Sequence, residues 1–306
     1  MKIFWFIFLF SLTLLILVST NDNKSDKPFI PSPPPIVNPN PPPIPKPIPQ
    51  PEPPPKPIPP PPKPGDNVKW LNFPAQRSNQ GNHTPFLEDI LTHLPYSMGN
   101  QYFANDSITW GHETTHGINS HIRNTFGKGK QNGFYVGGNK AIVLNEPNVT
   151  LSQVASMIPY NLRGSRYNLY FIQQQRDWNN SPLYVFDEFV AYVNGSVIGL
   201  ERHNKWSSDD MVACLEFSNY AICLARTIER YDPTYFEREP QFKEFLAYML
   251  RVALSTYQKG IILPEFQWDR TLEQQMRNSQ EIKEILRNLY GSNLGLNDLL
   301  LSYTNQ

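Results

Sequence analysis

Hydrophobic residues follow three regimes along the chain. From Ile3 to Val18 they run almost without a break. Across residues 28–64 they keep neither a helical nor a strand period, and prolines crowd between them. From Gly65 onward they recur at spacings that read as short helices and strands.

Within that body, Phe86 to Leu94 has the period of a short helix stopped before Pro95. Ser107 to Phe126 is a longer one, with Asn105, Asp106 or Ser107 as N-cap and Gly127 and Gly129 at its end. Phe134–Val136 and Ala141–Leu144 are two strands joined by Gly137-Gly138-Asn139-Lys140, a hairpin signal. Thr150 opens a short helix stopped by Pro159, and Arg166 to Ile172 alternates as a strand would. Leu183 to Leu200 is helical, with Gly195 weakening its end. A capping-box variant, Ser207 with Asp210, opens a helix to about Tyr231. Pro240 begins another that runs to Gln258 and stops at Gly260. Leu272 to Tyr290 reads as one amphipathic helix closed by Gly291. The expected fold class is α+β, with a small early sheet and a helical C-terminal half.

Composition divides the chain further. Of 31 prolines, 22 lie between Pro28 and Pro64. Proline fixes φ and has no N–H, so within a disordered proline-rich linker, residues 21–64, the stretch 28–64 reads as an extended polyproline stalk that can reach about 100 Å. One positive charge followed by the apolar run makes residues 1–20 a signal peptide or an uncleaved signal anchor. Either implies a secreted or membrane-tethered body, residues 65–306. Six sequons, headed by Asn23, Asn82, Asn105, Asn148, Asn179 and Asn194, agree with that route. A net charge of zero gives no reason to expect a nucleic acid partner. Cys214 and Cys223, nine residues apart on one predicted helix, are too distant to bridge and read as buried thiols.

The chemistry concentrates at His112-Glu113-Thr114-Thr115-His116. Four residues of helix bring the two imidazoles within about 40° on one face, as two ligands of one tetrahedral zinc require. Glu113 falls about 60° to the side of His116, where it can serve as general base. Ile108, Gly111, Ile118, Ile122 and Phe126 gather opposite, as the core-facing back of the helix. His121 lies about 140° around from His116 and points away. The metzincin pattern fails as well, because Asn119 and Ile122 stand where it needs glycine and histidine. His83, His93 and His203 lack ligand spacing and read as surface or loop residues.

For a third ligand, Asp187 and Glu188 lie inside the apolar run Tyr184 to Tyr192. A buried carboxylate is costly unless paired or metal-bound. Glu188, Asp187 as the substitute, or a Glu188 paired with Arg163 or Arg166 are the readings open to it. Ala191 is small enough to allow close approach of the two helices. A glutamate 72 residues after His116 resembles the arrangement of gluzincin peptidases, and Glu188-Phe189-Val190-Ala191 resembles a segment of the anthrax-lethal-factor-like peptidases. The resemblance implies a zincin-like domain with one Zn2+ per chain held by His112, His116 and Glu188, and Glu113 as base. Tyr167, Tyr170, Tyr184 and Tyr192 are candidates to stabilise an oxyanion, Tyr184 and Tyr192 foremost. The expected activity is hydrolysis of a peptide or protein substrate. The alternative is a non-catalytic surface binding protein on the same fold.

Overall fold

The computed structural model describes residues 63–79, 81–203, 208–266 and 269–291, all within the unit Pro59–Gln306. The leader, most of the proline-rich stalk and Ser207 of the capping box lie outside the described residues. What is described is mixed α and β, with its sheet early and helices thereafter.

Three strands form an antiparallel sheet in the order β1-β3-β2: β1 (Leu71–Asn72), β2 (Gln131–Tyr135) and β3 (Lys140–Asn145). Gly137, Gly138 and Asn139 all take positive φ, which is why this hairpin turn carries two glycines and an asparagine. Tyr135 pairs with Ala141 across the hairpin, and both are fully buried.

Helix α1 (Pro85–His93) leads to α2 (Ser107–Phe126), and Asp106 is the cap: its Oδ1 accepts from Thr109 N at 2.8 Å. Such a cap contributes about 1 kcal/mol. Ile118 and Ile122 of α2 pack with Phe73, Ile90, Leu94 and Tyr135 between α1 and the sheet. A Cβ at Gly133 would overlap Ile122, so this glycine lets β2 and α2 approach. Phe126 departs from the expected buried face: it is 42% exposed and meets Phe73 edge-on.

After α3 (Leu151–Met157) and α4 (Gln175–Trp178), the rest is a helical bundle. It comprises α5 (Tyr184–Arg202), α6 (Ser208–Tyr231), α7 (Tyr235–Arg238), α8 (Gln241–Ile261), α9 (Thr271–Asn278) and α10 (Gln280–Tyr290). Phe186, Phe189 and Val190 of α5 join Phe217 and Leu224 of α6 and Phe242 and Phe245 of α8 in the main core. α6 is long and apolar enough to cross a membrane, but most of it is buried here as a core helix. Both of its cysteines are buried and unbridged.

Several expectations are corrected. Residues 166–172 do not form a strand: Leu169–Gln173 is a π-helical turn. The apolar alternation arises because Tyr170 and Phe171 face α5 and α6, through Tyr192, Phe217 and Tyr220. Gly195 does not weaken α5, which continues to Arg202. Gly260 lies inside α8 rather than stopping it. Residues 272–290 are two helices, because Ser279 leaves the helical conformation and caps Ile282 N with its hydroxyl. His93 is not a surface residue: it is buried, stacked on Tyr135 and bonded to Asn139. Asn194 is buried too, with Nδ2 donating to Thr115 Oγ1 and Tyr135 O, so it offers no amide for glycosylation.

Candidate metal centre

Helices α2 and α5 pack face to face, and Gly111 and Gly195 lie along their contact. A Cβ at Gly111 would overlap Cδ1 of Ile198 on α5. A Cβ at Gly195 would lie 3.4 Å from Ile108 and 3.7 Å from His112 Cβ. Asn194 bonds α5 to α2 through Thr115 and to the sheet through Tyr135. The histidine face of α2 therefore meets the carboxylate face of α5 across a fixed gap.

In that gap three donor atoms converge. His112 Nε2 and His116 Nε2 are 3.1 Å apart, and Glu188 Oε2 is 3.7 Å from each. Donors of one tetrahedral zinc, each bound at about 2.0–2.1 Å, lie about 3.3 Å from one another, so the triangle is close to that size. Among the described residues this is the group of histidines and acids able to hold a metal ion. Glu188 is buried, and its Oε2 has no hydrogen-bond partner. Its other oxygen, Oε1, accepts from Tyr184 OH at 2.6 Å. A buried carboxylate oxygen without a partner costs stability in the absence of a cation, and it aims at the two imidazoles.

Asp187 occupies a different position from Glu188. Its Oδ2 accepts from His116 Nδ1 at 2.8 Å, and its Oδ1 accepts from Asn119 Nδ2 at 2.8 Å. Asn119 Oδ1 in turn accepts from Tyr135 N at 2.8 Å. With Nδ1–H committed to Asp187, His116 presents Nε2 to the gap, the arrangement by which metal-binding histidines are oriented.

The electrostatics follow from this crowding. Burial, then the neighbouring His116 charge, holds His112 well below the usual histidine range. Burial also opposes a charge on His116, but Asp187 and Glu188 outweigh it and lift its pKa to about 10. Burial pushes the Glu188 carboxyl up, against the pull of His116 and Tyr184.

Glu113 is exposed beside the triad, and its charge adds to the lift on His116. His121 is brought to Phe73 and Thr125, away from the triad. Neither arginine reaches Glu188: Arg163 stacks over Tyr167, and Arg166 pairs with Glu216 at 3.5 Å.

Of the tyrosines, Tyr167 donates to Ala155 O. Tyr184 OH lies between Glu188 Oε1 and Gln174 Oε1, so its proton is committed to holding the carboxylate. Tyr192 lies edge-on to His112, with ring centroids 4.4 Å apart. Its hydroxyl is 2.8 Å from Tyr170 OH, and the Arg166 guanidinium lies 4.9 Å over its ring. Burial raises the Tyr192 phenol to about 12. Asn119 and Asn194 are the site residues the sequence did not single out for it. The signal for Asn119 was its place on the histidine side of α2, where a polar side chain needs a partner. No family model, curated protein or solved structure matches this chain.

Proposed function

We propose that this chain is a zinc-dependent endopeptidase, secreted or held at a membrane by its N-terminal apolar run. The observation that carries the reading is the unpartnered, buried Oε2 of Glu188 facing two histidine nitrogens on an HExxH helix. The donor set of two imidazoles and one carboxylate suits zinc and leaves a fourth position for a reactant.

Zinc held there would lower the pKa of a water toward 7 and polarise a peptide carbonyl. The residues of the chain supply the rest. A carboxylate oxygen of the exposed Glu113 takes a proton from the attacking water and gives it to the departing amine. Asp187 keeps His116 in one tautomer, and Tyr184 keeps Glu188 in one rotamer. Either hydroxyl can donate in the Tyr170–Tyr192 pair; when Tyr170 donates, the Tyr192 proton is left for a developing oxyanion, beside the positive field of Arg166.

The test is the metal content of the purified full chain and its action on a mixed peptide library. About one zinc per chain is expected. Glu113→Gln should keep the metal and lower hydrolysis at least about 100-fold. Protein that takes up no zinc and cleaves no peptide overturns the proposal. Zinc bound equally by both forms, with cleavage by neither, favours a binding module instead.

A further inference from the structure

A cavity of about 480 Å³ opens beside α2, walled by Tyr96, Tyr102, Phe103 and Trp110, with Arg77 at its side. It adjoins the metal centre through α2 itself. Trp110 and Gly117 lie on this helix about one turn before and one turn after Glu113. Tyr102 packs so tightly on Gly117 that a Cβ there would overlap its ring. The cavity wall therefore begins on the side of Glu113 that faces away from the histidines.

The walls are rigidly built. Phe103 and His83 both meet Trp110 edge-on, with centroids 5.0 and 5.2 Å away. The segment carrying Arg77 is held to α1 by two backbone bonds, from Gln76 N and Arg77 N to Thr92 O. Arg77 Nη2 donates to the carbonyls of Pro95 and Gly99 at 2.8 and 2.9 Å, and the guanidinium lies 5.3 Å over the Tyr96 ring.

What the guanidinium lacks is an anion. Among the described residues no carboxylate lies within ion-pair distance of Arg77; its Nη2 is held by the two carbonyls and its Nε is buried, so Nη1 is the nitrogen left to meet a ligand. Every acidic partner of the other paired arginines is close, at 2.6 to 3.6 Å. A fixed, unpaired guanidinium beside an aromatic cavity recognises a carboxylate with an apolar stem.

We infer that this cavity is a substrate subsite for a peptide carboxylate, with Arg77 as its specificity-determining residue. The inference rests on the peptidase reading above. An extended peptide advances about 3.3 Å per residue, so a subsite one helix turn from Glu113 takes a side chain one or two residues from the cleaved bond. An acidic side chain and a C-terminal carboxylate share this chemistry.

Binding to the metal-free full chain tests the subsite apart from catalysis. The probes are fluorescein-labelled alanine octapeptides with amidated ends and one glutamate moved along the sequence. A matching glutamine series and an all-alanine free acid complete the set, read by fluorescence anisotropy. One glutamate register, or the free acid, should bind about tenfold tighter than its neutral counterpart, and added salt should weaken it. Arg77→Gln should bring that ratio close to one, while Arg77→Lys keeps part of it. Equal binding of all probes to the unaltered chain, or no binding by any, overturns the inference without recourse to a variant. With zinc added, the two ideas separate. Cleavage with no acidic preference keeps the peptidase and sinks the subsite, and acidic preference without cleavage does the reverse.

Discussion

Asp187 Oδ2 lies 2.8 Å from His116 Nδ1, while the other Asp187 oxygen is held by Asn119. One residue along the chain, Glu188 turns its own carboxylate to the opposite nitrogen of the same imidazole. Adjacent acids on α5 thus treat the two edges of one ring differently. Asp187→Asn should weaken zinc binding about 10- to 100-fold without abolishing it, since it removes the orienting acceptor and leaves the donors. Competition against a chromogenic chelator measures this. An affinity equal to that of the unaltered chain would remove Asp187 from the site.

Glu188→Gln should separate stability from metal binding. Glutamine keeps a polar atom at that position and gives up the attraction to His116, so the metal-free variant should gain no stability, to within about 1 kcal/mol. The rise in melting temperature that zinc gives the unaltered chain should be lost. Thermal melts with and without zinc decide both points, and a variant still stabilised by zinc would exclude Glu188 as a ligand.

Gly111→Ala tests the packing that brings the helices together. The new methyl meets Ile198 Cδ1, and the flexible end of that side chain must move. Only that terminal methyl is in the way and alanine has the better helix propensity, so the expected net cost is under about 1 kcal/mol by urea denaturation. Adding Ile198→Val should remove what cost there is. A loss above about 2 kcal/mol in the single variant would mean that Ile198 has no room to move aside.

A pH dependence away from the metal centre follows from Glu146. Burial lifts its carboxyl to about 7, although Leu183 N and Asn132 donate to it. Its folded pKa thus stands above the unfolded value near 4.5. Its contribution to stability is full below about pH 4.5 and is lost as pH rises through 7. Between pH 5 and pH 8 this amounts to a loss on the order of 2 kcal/mol. Glu146→Gln should remove that part of the slope, and parallel denaturation curves for both proteins at the two pH values will show it.

The parts legible in the sequence were those with a local cause. The four-residue spacing of His112 and His116, the cap at Asp106 and the glycine-rich hairpin depend on neighbours along the chain, and helix Ser107–Phe126 appears at its expected bounds. Glu188 could be proposed because a carboxylate within an apolar run demands a partner. What could not be read depended on distant contacts. The contact of Ile198 with Gly111 joins residues far apart in the chain, and a glycine in a helix reads locally as a weakness. The roles of Asn119 and Asn194 exist only once β2 lies beside both helices. Ser279 breaks a continuous amphipathic pattern, because one hydroxyl capping Ile282 N outweighs the period around it.

Tyr184 has one further effect. By taking one oxygen of Glu188 as its acceptor, it leaves the carboxylate a single oxygen to offer. As a metal ligand Glu188 would thereby favour monodentate binding. Calcium, which gathers six to eight oxygens and often takes both from one carboxylate, is poorly served by such a donor, whereas a four-coordinate cation is well served. Tyr184, acting through the carboxylate it holds, would then help determine which metal the protein selects.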